Sequence, residues 1–292
     1  MNIQVIAMDM DGTLLHKDNT ISKQTKKQLI RLQKQGVKLV LASGRSYTRL
    51  MRYAKELKMD VYGGYLIEVN GVAIYDFKEK KRYIDGRMPI SNAKELFHYF
   101  SKWNVEYLGY MDEGVFDYNP ESLLEEKRRY RVEHHILDDF PWTSGTFHFL
   151  ADFRDGYPDI RTIMSADEIT EELNKVVITY HADVLNEIVK IARKELGDRY
   201  WLGLTSDRWL EISMPTVTKG QGLEKLSKIT NIPLEQMMAF GDGENDIDML
   251  QKAGLGIAMG NALDTVKEAA DACTCTNNED GIYHAIIKYL GK

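Results

Sequence analysis

Two carboxylates, Asp9 and Asp11, stand one residue apart where the apolar run over residues 3–8 gives way to Gly12-Thr13. Alternation along an extended chain puts neighbours on opposite faces, so both emerge on one side. Two like charges held side by side repel, and they need a cation or a shared proton. A cation site with one carboxylate oxygen left free to attack is the functional reading. A solvated turn, which Asp and Gly also favour, is the plain one. A second acidic cluster, Gly241-Asp242-Gly243-Glu244-Asn245-Asp246, follows the apolar run over 237–240. Ser43, Gly44 and Arg45 follow the apolar stretch over 37–41, and Lys219-Gly220 opens a helical pattern after Thr216-Val217-Thr218. Four polar sites, each at a strand-to-helix junction, belong to one crevice of a doubly wound sheet.

The elements that must position these groups alternate. A strand over 3–8 leads to a helix over 22–35, with Ser22 as its cap and Gly36 as its stop. A strand over 37–41, a helix over 47–58 and a strand over 65–69 come next. Asn70-Gly71 then reads as a tight hairpin turn into 72–75. Strand, helix, strand at this density predicts a parallel sheet with right-handed crossovers. Near residue 84 the pattern changes. Helices over 91–103, 121–132 and 182–196 mix with strands over 105–110, 175–179, 200–204 and 209–213, the last two antiparallel across a short link. From Thr216 the alternation resumes, with helices over 220–229, 247–252, 262–269 and 281–290 around strands at 237–240 and 255–258. The predicted fold class is α/β: a doubly wound parallel-sheet (Rossmann-like) core from residues 1–83 and 215–292, interrupted by an inserted α+β cap domain over 84–214.

These segments, in this order, resemble the haloacid dehalogenase superfamily of phosphatases. Asp9-x-Asp11-Gly12-Thr13 matches its first motif, Ser43 the second, Lys219 the third, and Asp242 with Asp246 the fourth. The Gly-Asp-x-x-Asn-Asp spacing, Val69-Asn70-Gly71-Val72, the long insert and the closing Asn278-Glu279-Asp280-Gly281-Ile282 are similar to the Cof-type subfamily with a type IIB cap. The resemblance implies hydrolysis of small phosphorylated metabolites, sugar phosphates or similar, through an aspartyl-phosphate on Asp9. Asp11 would give a proton to the leaving oxygen and take one from water. Mg²⁺ suits a site of carboxylates, a carbonyl and waters. Its ligands would be Asp9, the Asp11 carbonyl and Asp242, with Asp246 acting through water or holding Lys219. Lys219, Ser43, the Gly44 amide, Arg45 and Asn245 would hold phosphate, and Thr13 would fix the turn. A phosphomutase and a non-catalytic phosphate-binding regulator are the alternatives. Leaving-group choice would reside in the cap.

Bulk properties narrow the class. The 292 residues carry a net charge of −6, which argues against non-specific nucleic-acid binding. No apolar stretch approaches the roughly 18 residues of a membrane span. The opening residues read as a strand and not as a signal segment, so a cytoplasmic protein is expected. Cys273-x-Cys275 lacks partners for a zinc site, and a buried or half-buried structural role is expected for both on a short edge strand. The highly charged helix over 121–132 reads as a solvated one. His134, His135 and His148 read as no metal site. Phe140, Trp142, Phe147, Phe149, Phe153 and Tyr157 read as core or interface, with one or two open to a substrate-facing role.

Overall fold

The computed structural model describes residues 2–137 and 157–291. Among these are fourteen strands: β1 (Val5–Met8), β2 (Lys38–Ala42), β3 (Tyr65–Glu68), β4 (Ala73–Asp76), β5 (Lys81–Ile84), β6 (Glu106–Tyr110), β7 (Gly114–Tyr118), β8 (Asp159–Thr162), β9 (Lys175–Thr179), β10 (Trp201–Ser206), β11 (Trp209–Ser213), β12 (Met237–Gly241), β13 (Leu255–Ala258) and β14 (Ala272–Cys273). The chain divides into two compact units. One runs to Asp85 and resumes at Thr216; the other is Gly86–Pro215.

The first unit is built on an eight-stranded sheet in the order β14-β13-β12-β1-β2-β3-β4-β5. β1 pairs in parallel with both β2 and β12. All four of its residues are buried, as a strand covered by helices on both faces requires. Ile6 and Met8 pack with Leu39, Leu41 and Phe240 against Leu29, Leu32 and Ile286. Val5 and Ala7, on the opposite face, pack with Val40 and Ala239 against Leu223, Leu226 and Leu250. Burying each large aliphatic side chain contributes about 2 kcal/mol, so the two layers clamp the central strands whose ends carry the polar sites. Ser22 caps the helix Lys23–Lys34 by accepting the Thr25 amide at 3.1 Å. Thr218 caps Lys219–Thr230 by accepting from Gln221 at 3.1 Å.

The second unit is α+β, with a six-stranded sheet in the order β10-β11-β9-β6-β7-β8. Its pairs are antiparallel except β7 with β8. Tyr107, Phe116, Val176, Ile178 and Ile212 on one face pack against Leu96, Phe100, Leu185 and Ile188 of the helices Ile90–Phe100 and Ala182–Leu196.

Several sequence expectations are corrected. Asn70-Gly71 is not a two-residue turn. The β3–β4 register ends at Glu68 opposite Ala73, which leaves residues 69–72 as the loop. Its amides are drawn to tertiary acceptors: Val69 donates to the Arg45 carbonyl and Asn70 to that of Ser43. Three strands have no counterpart in the sequence reading. β5 and β8 are charged edge strands, a usual defence against edge pairing that obscures alternation. β7 begins with Gly and carries Asp117, both depleted in strands. Cys273 and Cys275 are exposed, because β14 is only two residues long and ends before Cys275. The helix Glu121–Glu133 is not wholly solvated: Leu123 and Lys127 are buried, and Lys127 donates to Glu106 at 3.1 Å and Asn119 at 2.6 Å. Tyr157 is buried, edge-on to Tyr110. Phe140, Trp142, Phe147, His148, Phe149 and Phe153 lie outside the described residues. Among the described residues no helix is long and apolar enough to cross a membrane.

Candidate active site

β1 ends at Met8, so Asp9 and Asp11 lie in the turn beyond it and strand alternation does not orient them. The Asp9 amide still donates to Phe240 at 3.0 Å, which prolongs the β1–β12 pairing by one residue. The chain then curls, with Leu14 donating to Asp9 at 3.2 Å and Leu15 to Met10 at 2.9 Å. Gly12 is demanded twice. Its φ is +78°, and a Cβ there would fall on the Asp242 carboxylate. The first acidic turn is thereby pressed against the second.

Lys219 is the first residue of its helix, where the dipole disfavours a cation. It is also fully buried. Two carboxylates offset both costs: Nζ donates to Asp9 Oδ1 and to Asp246 Oδ1, each at 2.6 Å. Asp246 Oδ2 accepts the amides of Asp242 at 2.9 Å and Gly243 at 3.0 Å, so this residue holds both the lysine and the loop. Asp242 Oδ1 accepts from Thr13 Oγ1 at 2.6 Å. Carboxylate oxygens of Asp9, Asp242 and Asp246 all lie within 4.8 Å of one another.

Three carboxylates thus lie together, and the one ammonium bonded within the cluster pairs with two of them. Burial pushes the Asp9 carboxyl well above the usual range; Lys219 opposes the shift, and Asp246 and Asp242 add to it. Asp242 is pushed up to about 6 by burial, against the Thr13 hydrogen bond and with help from the Asp246 charge. Burial works against the Lys219 charge, but Asp246 and Asp9 outweigh it and raise its pKa above the ordinary lysine value. The surplus negative charge and the all-oxygen donor set fit a hard divalent cation. Lys219 and Thr13 engage only one oxygen each of Asp9 and Asp242. Among the described residues the second oxygens accept nothing shorter than a 3.4 Å contact from Asn261 to Asp242.

The remaining predicted residues lie around this cluster. Asp11 is exposed, bridges to Leu15 and is held by Arg45, whose Nε donates to Oδ2 at 3.0 Å and whose Nη2 donates to Oδ1. Arg45, read from sequence as a phosphate ligand, is thus engaged with the expected acid–base residue. Ser43 is buried, and its Oγ accepts the Arg45 amide at 3.2 Å across Gly44. Asn245 donates from Nδ2 to Asn70 Oδ1 at 3.2 Å.

Two tethers escaped the sequence reading. Thr13 was assigned to the turn, but its hydroxyl orients Asp242. Asn261 donates to the Gly12 carbonyl at 2.8 Å and accepts the Asn277 amide at 3.0 Å, while Asn277 Nδ2 holds the Leu15 carbonyl at 2.7 Å. The available signal was position: Asn261 follows β13 as Asp9 follows β1, a polar residue just past the end of a parallel strand.

The sequence model of the family described as haloacid dehalogenase-like hydrolase matches residues 6–286. The chain is 28% identical to phosphatase YwpJ of Bacillus subtilis, over 99% of this chain and all of that one. It is 30% identical to the 5-amino-6-(5-phospho-D-ribitylamino)uracil phosphatase YcsE of the same organism, over 99% and 97% of the two chains. Among solved structures, a haloacid dehalogenase-like hydrolase from Bacteroides thetaiotaomicron superposes with a TM-score of 0.76 at 28% identity, covering 98% of this chain and 99% of that one.

Proposed function

The chain belongs to the haloacid dehalogenase-like hydrolases and is a phosphatase, and on that premise we propose that it is a Mg²⁺-dependent, cytoplasmic enzyme that hydrolyses small phosphorylated metabolites through an aspartyl-phosphate on Asp9. The observation that carries this reading is the cluster of buried Asp9 and Asp246, both paired with Lys219, beside half-buried Asp242. Lys219 holds one Asp9 oxygen and leaves the other to attack phosphorus. The Asp9 oxygen–phosphorus bond of an acyl phosphate forms as the bond from phosphorus to the substrate oxygen breaks. Asp11, released from Arg45, protonates the departing alkoxide, then takes a proton from the water that attacks phosphorus and frees the Asp9 carboxylate. Asp9, Asp242 and the Asp11 carbonyl would hold Mg²⁺, which when bound offsets repulsion between the Asp9 anion and the phosphate dianion. Asp246 keeps Lys219 charged and in place. Ser43, the Gly44 amide, Asn245 and, once it leaves Asp11, Arg45 bind phosphate oxygens. The second unit selects the leaving group. The relative named for a phosphorylated ribitylaminouracil supports a substrate of metabolite size.

The test is Asp9→Asn. It should fold and lose essentially all turnover. Acid quench of the parent enzyme during turnover of a phosphate-radiolabelled substrate should trap label on Asp9, and hydrolysis in heavy-oxygen water should put the water oxygen into the released phosphate. Near-parental turnover by Asp9→Asn would refute the assignment.

A further inference from the structure

Val69, Asn70 and Gly71 occupy three consecutive left-handed conformations, with φ of +46°, +54° and +106°. Gly enters this region freely and Asn with little penalty, but a β-branched residue there is a genuine outlier. Such backbone persists only where its surroundings over-determine it, and it clusters at functional sites.

Here the surroundings are the other segments of the site. Val69 donates its amide to the Arg45 carbonyl at 3.1 Å, and Asn70 donates its own to the Ser43 carbonyl at 2.9 Å. The backbone is thus pinned on both sides of Gly44. The Asn70 side chain is buried, and its Oδ1 accepts Asn245 Nδ2 at 3.2 Å. Gly71 lies so close to the Lys219 helix that a Cβ would stand 2.5 Å from the Thr218 carbonyl. One strained loop therefore touches the Ser43–Arg45 turn, the residue before Lys219, and Asn245.

We propose that Asn70 is a positioning residue for phosphate binding: its left-handed backbone sets the Ser43–Arg45 turn, and its side-chain oxygen aims the Asn245 amide. The inference rests on the phosphatase reading above, in which Ser43, Gly44 and Asn245 face phosphate. Asn70 itself touches no reacting atom. It acts by consuming one Asn245 donor proton, which fixes the amide plane and leaves the other proton for the anion.

The experiment is a mutant cycle between positions 70 and 245. It reads the Kd of inorganic phosphate in the presence of Mg²⁺, kcat and KM for p-nitrophenyl phosphate, and Tm. Asn70→Gly keeps the left-handed backbone and deletes the amide. Asn70→Asp keeps both the backbone preference and an acceptor oxygen. Asn245→Ala should weaken phosphate binding about tenfold in the parent and by a similar factor in Asn70→Asp. It should do little in Asn70→Gly, where the amide is already unaimed. The charge added by aspartate weakens anion binding in both backgrounds and cancels from the comparison. The Tm of Asn70→Gly should stay near that of the parent, which separates aim from folding; Asn70→Ser replaces it if the glycine variant does not fold. An equal loss from Asn245→Ala in all backgrounds, or parental phosphate affinity in Asn70→Gly, would overturn the proposal. Failure of the parent to hydrolyse phosphomonoesters would count against the phosphatase reading alone, because the phosphate Kd still decides the coupling.

Discussion

Both units bury ionic groups, but they close their charges differently. In the second unit Lys127 meets Glu106 at 3.1 Å and Lys175 meets Glu211 at 2.5 Å, all four side chains being less than a tenth exposed. Asp117, raised by burial against the pull of Lys127, hydrogen-bonds Glu106. Each carboxylate there has a lysine or a carboxyl neighbour able to share a proton. In the first unit Lys219 meets Asp9 and Asp246, Asp242 stands beside them with no ion pair among the described residues, and the carboxyls of Asp9 and Asp242 are raised. A buried ion pair that balances itself is a structural feature whose loss damages folding. A carboxylate cluster with fewer cations than acids is open to a ligand, and that contrast is what the proposed mechanism rests on.

The contrast breaks most visibly if metal removal is harmless. Chelation should abolish hydrolysis of p-nitrophenyl phosphate, and added Mg²⁺ should restore it; full activity in EDTA would end the cation reading. Ca²⁺ should bind and inhibit, since its larger, looser shell can engage both Asp9 oxygens.

Next in size is Lys219→Met. With no cation among three carboxylates, turnover should fall by about a hundredfold to a thousandfold, as when a preorganised charge is lost elsewhere. Lys127→Met, by contrast, should destabilise folding by about 3 kcal/mol and leave kcat on p-nitrophenyl phosphate near parental. Denaturant titration and steady-state kinetics on the two variants compare the clusters directly.

A pH series sharpens the same point. The folded-state pKa of Asp242, about 6, lies above its unfolded value of roughly 4. The metal-free folded state therefore holds a proton that the unfolded chain releases, and this contribution to stability is lost as pH rises from about 4 through 6. Mg²⁺ competes with that proton, so it should raise Tm more at neutral pH than near pH 5. An equal increment at both would show that Asp242 is not a ligand.

Smaller effects test the tethers. Thr13→Val removes the 2.6 Å hydrogen bond to Asp242 and should weaken Mg²⁺ activation about tenfold, in line with other groups that orient metal ligands. Cys273→Ser and Cys275→Ser should change neither Tm nor kcat, because both side chains are exposed.

Much of the fold was legible because local pattern and burial agree. Val5-Ile6-Ala7-Met8 is apolar throughout and is buried on both faces. The helix Ala182–Leu196 buries Leu185, Ile188, Val189, Ala192 and Leu196 at helical spacing, and its ends coincide with the periodicity. Charged edge strands were not legible, since Lys81-Arg82-Tyr83-Ile84 presents no core-facing alternation to read. At the site, residue type and position at strand ends singled out Asp9, Asp242 and Asp246; Lys219 was singled out as a lysine opening a helix, although no strand runs directly into it as the sequence pattern suggested. The engagement of Arg45 with Asp11 and the grip of Asn70 on both Ser43 and Asn245 carry no local signature.

The sequence by itself determined which strands are apolar enough to be central and which strand ends and helix starts carry acid, amine, hydroxyl and amide groups, because hydrophobic period and turn chemistry are properties of neighbouring residues. Only the tertiary structure decided how many carboxylates share one lysine and which oxygens remain open. Asp9 and Lys219 are 210 positions apart in the chain yet 2.6 Å apart in space. Charge balance is a sum over such neighbours, and no window of sequence contains it.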